Sequence, residues 1–446
     1  MLPKKVHATW AMLAAMATSI GLFGFSPAKL TRRSINQTKP ITITITWWSW
    51  TSNPQNVIKA FEAAHPGVRI VHPTIGGASA EYAKLATTLA AHAGAPDVVQ
   101  ITYDTLPQFV ATGALKNIAA YVNKYRSQYP PWVWRQVSQG RGVYAVPEDI
   151  GPMAWFYQPA ILTRFGLTVP KTWAAFAKTA VTLHKKDPKA YLTYFPTDDG
   201  EWYTGLLWQA GATLFRHTAT GWIVNINSPI SRKVMNYWGR LIQEKAVALS
   251  DEYYPAWASA LSHGQYASMI GAAWSPAYEI TPYVSPGSKN WRAAQLPQWS
   301  AHQFFTANDG GSANAVTVQS KHPAIAAEFA AWINTSTQGL ALDEKLPSAG
   351  GRGLFPADKH RSRTSVFNSP IPVLNGQDAN AAVFGPAAAH VRTGFTFSPW
   401  QSYVYNQMTV QFTKAAHGQE TWDKALAVIQ QNVMQYARTQ GYSVRP

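Results

Sequence analysis

No cysteine occurs among the 446 residues of this chain. Disulfides are excluded, as are thiolate metal ligands and the lipid-modified cysteine that tethers many exported bacterial proteins, so stability has to come from the packed core. Acids are scarce too: 22 Asp and Glu stand against 38 Lys and Arg, and the net charge of +16 reflects missing acids more than added bases. The bases are scattered, with Arg32-Arg33 and Lys359-His360-Arg361-Ser362-Arg363 as the densest runs. A nucleic-acid binder concentrates its charge in stripes or patches, so no nucleic-acid partner is expected. Few carboxylates suit an acidic surrounding, because a carboxylate whose pKa is depressed by folding contributes stability that is lost as pH falls through that pKa. The twelve histidines form no HxxxH pair beside a glutamate, and neither a metal nor a cofactor is expected. Solenoid-length repeats and low-complexity tracts are also missing.

Only one stretch is apolar enough to span a membrane, Ala8 to Phe25, with Lys4 and Lys5 before it and Ser26-Pro27-Ala28 after it. It reads as a signal peptide over residues 1–28, with an uncleaved anchor as the alternative, since about twenty apolar residues span a bilayer. Residues 29–40 read as a polar linker. The chain is therefore expected to be exported, periplasmic or at the cell surface, and not a lipoprotein. The mature part, from residue 29 on, is longer than one hydrophobic core usually supports, which predicts two lobes.

Beyond the linker the chain opens on a strand, an aromatic turn and a helix. Ile41, Ile43, Ile45 and Trp47 alternate with threonines, a period of two. Val57, Ala60, Phe61 and Ala64 repeat at helical spacing, and Val68 to Val71 starts a second strand. Ligands in open α/β sheets bind at the carboxyl ends of strands, which puts Trp48, Ser49 and Trp50 at a candidate site; packing in the core or as a staple is the alternative for the tryptophans. The α/β alternation continues. Tyr82, Leu85 and Leu89 mark a helix, Pro96 to Ile101 a buried strand, Val143 to Val146 and Trp155 to Tyr157 two more. Thr172 is placed to cap a helix bearing Trp173, Phe176, Ala180 and Leu183. Ala313 to Gln319 is a further strand, a helix follows Pro323, and Trp422, Leu426, Ile429, Val433 and Tyr436 share one face of a long helix. Ser348 to Asn380, rich in Gly, Pro, Ser and Asn, matches no regular pattern.

A series of short elements, in this order, resembles the family-1 extracellular solute-binding proteins, the maltose-binding-like substrate receptors of ABC sugar importers. They are Ala95-Pro96-Asp97-Val98-Val99 with Asp104 and Gly113-Ala114-Leu115; Tyr144-Ala145-Val146-Pro147 with Trp155-Phe156-Tyr157-Gln158; Pro170-Lys171-Thr172-Trp173; Ala272-Ala273-Trp274; Gly310-Gly311-Ser312; and Ala415 to Thr421 leading to Ala425-Leu426. Gln158 and Ala272-Ala273 depart from the usual Asn and Gly-Pro. The resemblance implies a two-lobed periplasmic-binding-protein fold of the type II, maltose-binding-like kind: residues 41–147 and 298–347 form one lobe, and 148–297 and 348–446 the other. It implies crossings near Pro147, Pro297 and Pro347, a ligand cleft between the lobes, and closure of a hinge on binding. It further implies a monomer that captures a sugar, of di- or oligosaccharide size, and hands it to membrane permease subunits, with no catalysis.

Sugars pair polar hydroxyls with an apolar C–H face, so a good site combines flat rings with carboxylates. The ring candidates are Trp48, Trp50, Trp202, Tyr203, Trp274 and Tyr405, with Tyr278 and Trp400 in reserve; each ring could equally fill a core. Asp104 and Glu148 are the candidate acceptors, the alternatives being a helix cap for Asp104 and a lysine partner at the rim for Glu148. Gly310 and Gly311 would let backbone N–H groups approach a ligand, or form a plain turn. Two other functions compete. A polyol or a phosphorylated ligand such as glycerol 3-phosphate would need an arginine or a helix N-terminus in the cleft. A secreted glycoside hydrolase would need two spaced carboxylates, and Asp198, Asp199 and Glu201 cluster in what reads as a solvated Asp-Asp-Gly turn.

Overall fold

The computed structural model describes residues 43–285 and 287–446. The leader, the linker, Ile41 and Thr42 lie outside the described residues. Among those described, no helix is long and apolar enough to cross a membrane.

A five-stranded sheet forms the first lobe, with the strands Val68–Val71, Ile43–Trp48, Val98–Thr102, Ser312–Val316 and Ala145–Pro147 side by side in that order. The first three run parallel, and Ser312–Val316 pairs antiparallel with both of its neighbours. Ile45 and Trp47 are buried while Thr44 is exposed, as the alternation requires; Trp48 breaks the pattern and is buried as well. Val98 to Ile101 is buried on both faces, as a central parallel strand must be. In the second lobe, Met153–Tyr157 lies between Ser268–Ala272 and Arg292–Gln295, antiparallel to both. Tyr194–Pro196 pairs with Ala248–Ser250 nearby.

Proline opens many of the helices, including Pro54–Ala64, Pro229–Gln243 and Pro323–Thr335. There its fixed φ fits, and its missing N–H is one the helix would leave unbonded anyway. The Thr172 hydroxyl accepts from Ala175 N and caps Trp173–Lys186 as the spacing predicts.

Three segments cross between the lobes and bond to one another. Ile150 N donates to Phe355 O (2.9 Å), Met153 N to Ala307 O (3.0 Å) and Asp309 N to Gly151 O (2.8 Å). A Cβ on Gly151 would fall 1.8 Å from Asp309 O, so only glycine allows the first two crossings to lie this close. The bonded stretches thus centre on residues 148–153, 307–312 and 355–357.

The segment that has no periodicity is held by side-chain contacts instead, among them the bond from Arg352 to Glu148. Arg352 is fully enclosed, and the Arg361 guanidinium lies 4.5 Å from the Phe355 ring centroid. Single 3-10 turns at Pro347–Ala349, Arg361–Arg363 and Pro372–Leu374 supply its only described helical structure before Asn380.

Candidate ligand-binding site

Asp104 follows the central strand of the first lobe. It is 5% exposed, and its Oδ1 has no hydrogen-bond partner. It does not cap the next helix: Thr105 holds that position, with no side-chain cap bond. Burial raises the Asp104 pKa, while the hydroxyls of Thr102 and Tyr405 draw it partly back.

The opposing wall comes from the start of helix Gly200–Ala210. Asp199 caps this helix, accepting from Glu201 N (2.8 Å) and Trp202 N (3.0 Å). The cap sits at the base of Glu201, and the Asp104 charge is the largest contribution after burial to the raised pKa of its carboxyl. The acids therefore do not form a solvated loop; only Asp198 is exposed. Tyr405, from helix Gln401–Ala416, lies against the same helix start, where a Cβ on Gly200 would come within 2.5 Å of the Tyr405 side chain.

The third wall is the crossing that carries Asp309, Gly310 and Gly311. Both glycines have left-handed backbone, with φ of 64° and 81°. A Cβ on Gly310 would sit 3.4 Å from Trp274 Nε1 and 3.5 Å from Glu201 Oε2, so this glycine adjoins both. The Trp274 indole N–H donates to Asp309 O at 3.1 Å, which orients the ring.

Asp104, Trp274, Gly310 and Tyr405 thus converge, together with Glu201, Asp309 and Asp199. Burial pushes the pKa of Glu201 and of Asp309 well up, and neighbouring carboxylates push it further: Asp104, Asp199 and Asp309 on Glu201, and Asp199, Glu279 and Asp104 on Asp309. A carboxyl accepts hydrogen bonds when ionised and both donates and accepts when protonated, so either form suits hydroxyl-bearing ligands. Among the described residues no group of His, Asp and Glu is arranged to hold a metal ion.

The remaining candidates lie elsewhere. Trp202 is buried against Phe195 and Trp238, and its N–H donates to Ile270 O. Tyr203 is fully buried between Phe195 and Phe412, with its hydroxyl on Pro196 O. Both are core residues of the second lobe. Glu148 has no exposure and accepts from Gln100 (2.6 Å), Ser312 (2.8 Å), Asn314 (2.9 Å) and Arg352 (2.5 Å). With both oxygens engaged inside the protein, it has no capacity left for a sugar hydroxyl, and its partner is a buried arginine rather than a rim lysine. Trp48 is 3% exposed, with the Lys84 ammonium 4.8 Å from its ring centroid. Trp50 is half-buried, edge-on to Tyr82, whose hydroxyl is bonded to Thr102 two residues before Asp104. Gly311 packs on the crossing, since its Cβ would meet Asp149 O and the Tyr103 ring at 3.0 Å. Asp309 is a residue of this cluster that sequence reasoning missed, its one signal being its place beside the glycine pair; Asp199 and Glu201 were weighed only as hydrolase acids in a solvated turn.

Two α/β lobes, three mutually bonded crossings and the polar and aromatic residues gathered between them define a two-lobed binding-protein fold of the maltose-binding type. The chain belongs to the bacterial extracellular solute-binding protein family, whose model matches residues 47–339. It is 23% identical over 266 residues to the arabinooligosaccharide-binding protein of Bacillus subtilis, a match covering 57% of this chain and 59% of that protein. The chain thus spans about three-fifths of the length of the curated relatives it matches. Among solved structures it is similar to an ABC transporter associated binding protein from B. animalis subsp. lactis in complex with β-1,6-galactobiose, with TM-score 0.78 and 25% identity over 90% of this chain and 99% of that one. It is likewise similar to the galacto-N-biose/lacto-N-biose I-binding protein of Bifidobacterium longum in complex with lacto-N-biose, with TM-score 0.79 and 25% identity over 91% and 100% of the two chains.

Proposed function

We propose that this protein is the substrate receptor of an ABC importer: it captures a sugar of di- or oligosaccharide size between its lobes and delivers it to the membrane permease. The observation that carries this reading is the convergence of Trp274, Tyr405 and the unpartnered Asp104 oxygen from separate parts of the fold. A ring and an unsatisfied acceptor on facing walls are what a pyranose or furanose needs. The saccharides held by the similar structures support the same ligand class. Binding closes the hinge, the protein acts as a monomer outside the cytoplasm, and no bond is made or broken. A phosphorylated ligand is disfavoured because the groups around the space are acids.

Calorimetry against arabino-, malto- and β-1,6-galacto-oligosaccharides and lacto-N-biose tests the reading, with small-angle scattering on the best ligand. Binding with a smaller radius of gyration and no new reducing ends is the expected result. Silence across the panel, or release of reducing ends, would overturn it.

A further inference from the structure

Trp274 lies between strand Ser268–Ala272 and the helical turn Pro276–Ile280. Ala277 N and Tyr278 N both donate to Trp274 O, at 3.0 and 3.2 Å, so Trp274 and Tyr278 belong to one hydrogen-bonded turn. Within the same turn, Ser275 Oγ accepts from Ala272 N at 2.8 Å. These bonds give the turn its shape. None of them fixes it to anything outside the second lobe.

Two side chains tie the turn to the crossings. At one end the Trp274 indole N–H reaches Asp309 O on the second crossing. Four residues on, the half-buried Tyr278 donates its hydroxyl to Arg352 O, just before the third crossing. Ser52 N, which follows the first-lobe strand Ile43–Trp48, approaches the same phenol oxygen at 3.5 Å. The backbone makes room for this contact. Gly353 has a φ of 71°, and a Cβ there would lie 2.8 Å from Ala277 Cβ and 2.9 Å from Pro347 Cδ, so a side chain at this position would push the turn off the crossing segment. That segment is in turn gripped from the first lobe: Asn53 Nδ2 donates to Pro347 O (2.9 Å) and Gly351 O (2.7 Å), and Asn56 Nδ2 to Gly350 O (2.7 Å). A ring held at one point can swing about it. The second tether removes that freedom, and a ring already in its bound orientation gives up less on binding.

We propose that Tyr278 is a positioning residue: by fastening the turn to the third crossing, it presets the Trp274 ring at the site and carries movement of the crossings to that ring. The phenol, a reserve stacking ring by sequence, then works through its hydroxyl and through Trp274, without touching the ligand. This assignment rests on the sugar-receptor reading above and adds to it the device that orients the ring.

A double-mutant cycle tests it, with calorimetry on the parent, Tyr278→Phe, Trp274→Ala and the double variant, using the sugar of the panel above that binds the parent most tightly. Tyr278→Phe keeps the ring and removes only the hydroxyl; it should raise Kd about two- to tenfold, the range for one hydrogen bond. In the Trp274→Ala background the same substitution should change Kd by less than about twofold, because Tyr278 acts through the ring. A general loosening of the fold would weaken binding equally in both backgrounds. Fluorine NMR on ligand-free protein labelled with fluorotryptophan gives a second readout: the Trp274 resonance, assigned by its loss in Trp274→Phe, should shift or broaden in Tyr278→Phe. If Tyr278→Phe binds as tightly as the parent, if its penalty is the same in both backgrounds, or if the resonance does not move, the positioning assignment is overturned and the receptor reading stands. If no sugar binds the parent, the receptor reading falls, and this assignment falls with it.

Discussion

Arg352 places its guanidinium 2.5 Å from Glu148, and both side chains are cut off from solvent. Glu148 belongs to the first crossing, and Arg352 directly precedes the third. Asp343 bonds to the same guanidinium, so one arginine is shared between two buried carboxyl groups at the base of the hinge. Removing one partner of a buried ion pair typically costs about 3–5 kcal/mol, because the other charge stays buried alone. Arg352→Met should therefore lower the unfolding free energy by that amount in urea denaturation. A loss below about 1 kcal/mol would show that the ion network contributes little.

Trp274 and Trp202 should part company on mutation. Trp274→Ala removes an orienting ring at the site and should raise Kd for the sugar about thirtyfold, the equivalent of about 2 kcal/mol, with a small change in melting temperature. Trp202→Ala empties a core position and should destabilise by about 3–5 kcal/mol. Calorimetry and chemical denaturation on both variants decide it; an unchanged Kd for Trp274→Ala would move that ring to the core.

Asp104 and Glu201 face each other across the site, and their joint removal from water is the main reason both pKa values rise. Asp104→Asn and Glu201→Gln should each weaken sugar binding by about tenfold, consistent with about 0.5–1.5 kcal/mol for a hydrogen bond and more where the lost acceptor is charged. Because burial and the neighbouring carboxyl both raise these pKa values, the ionised forms are disfavoured in the folded state, and the neutral amide at either position should leave the protein at least as stable as the parent at about pH 8. Wild-type affinity in both variants would remove these residues from the site.

Stability should be highest in acid. Among the described acids every resolved shift is upward: burial and the Glu148 charge hold Glu81 at about 8, and burial holds Asp149, Glu279 and Glu344 at about 7. Unfolded carboxyls titrate at about 4. Between about pH 4 and those raised values the folded chain binds more protons than the unfolded one, so stability falls as pH rises, by up to about 1.4 kcal/mol per pH unit for each such group. The stabilisation is fully present below about pH 4 and is lost as pH rises through about 7 to 8. We therefore expect a higher denaturation midpoint at about pH 4 than at about pH 8, and a folded state well below about pH 4. A midpoint that rises with pH would refute this.

Local rules made much of the framework legible in the sequence. The alternation from Ile43 to Trp47, the cap at Thr172 and the helix after Pro323 each follow from interactions within a few residues, and each stands in the structure where the pattern puts it. Asp104 and Trp274 were within reach because each ends a strand at its carboxyl edge, where α/β sheets leave room for ligands. Tertiary structure decided the rest. Glu201 and Trp202 are adjacent on one helix, and about 100° of rotation sends one toward Asp104 and the other into the core. No local pattern says which, since the choice depends on what packs against each face. Glu148 had the composition of a ligand residue, but an arginine 204 positions away claimed it. The same holds for the acids as a group. Their small number was readable, while the direction of their pKa shifts came only from burial, which long-range packing creates.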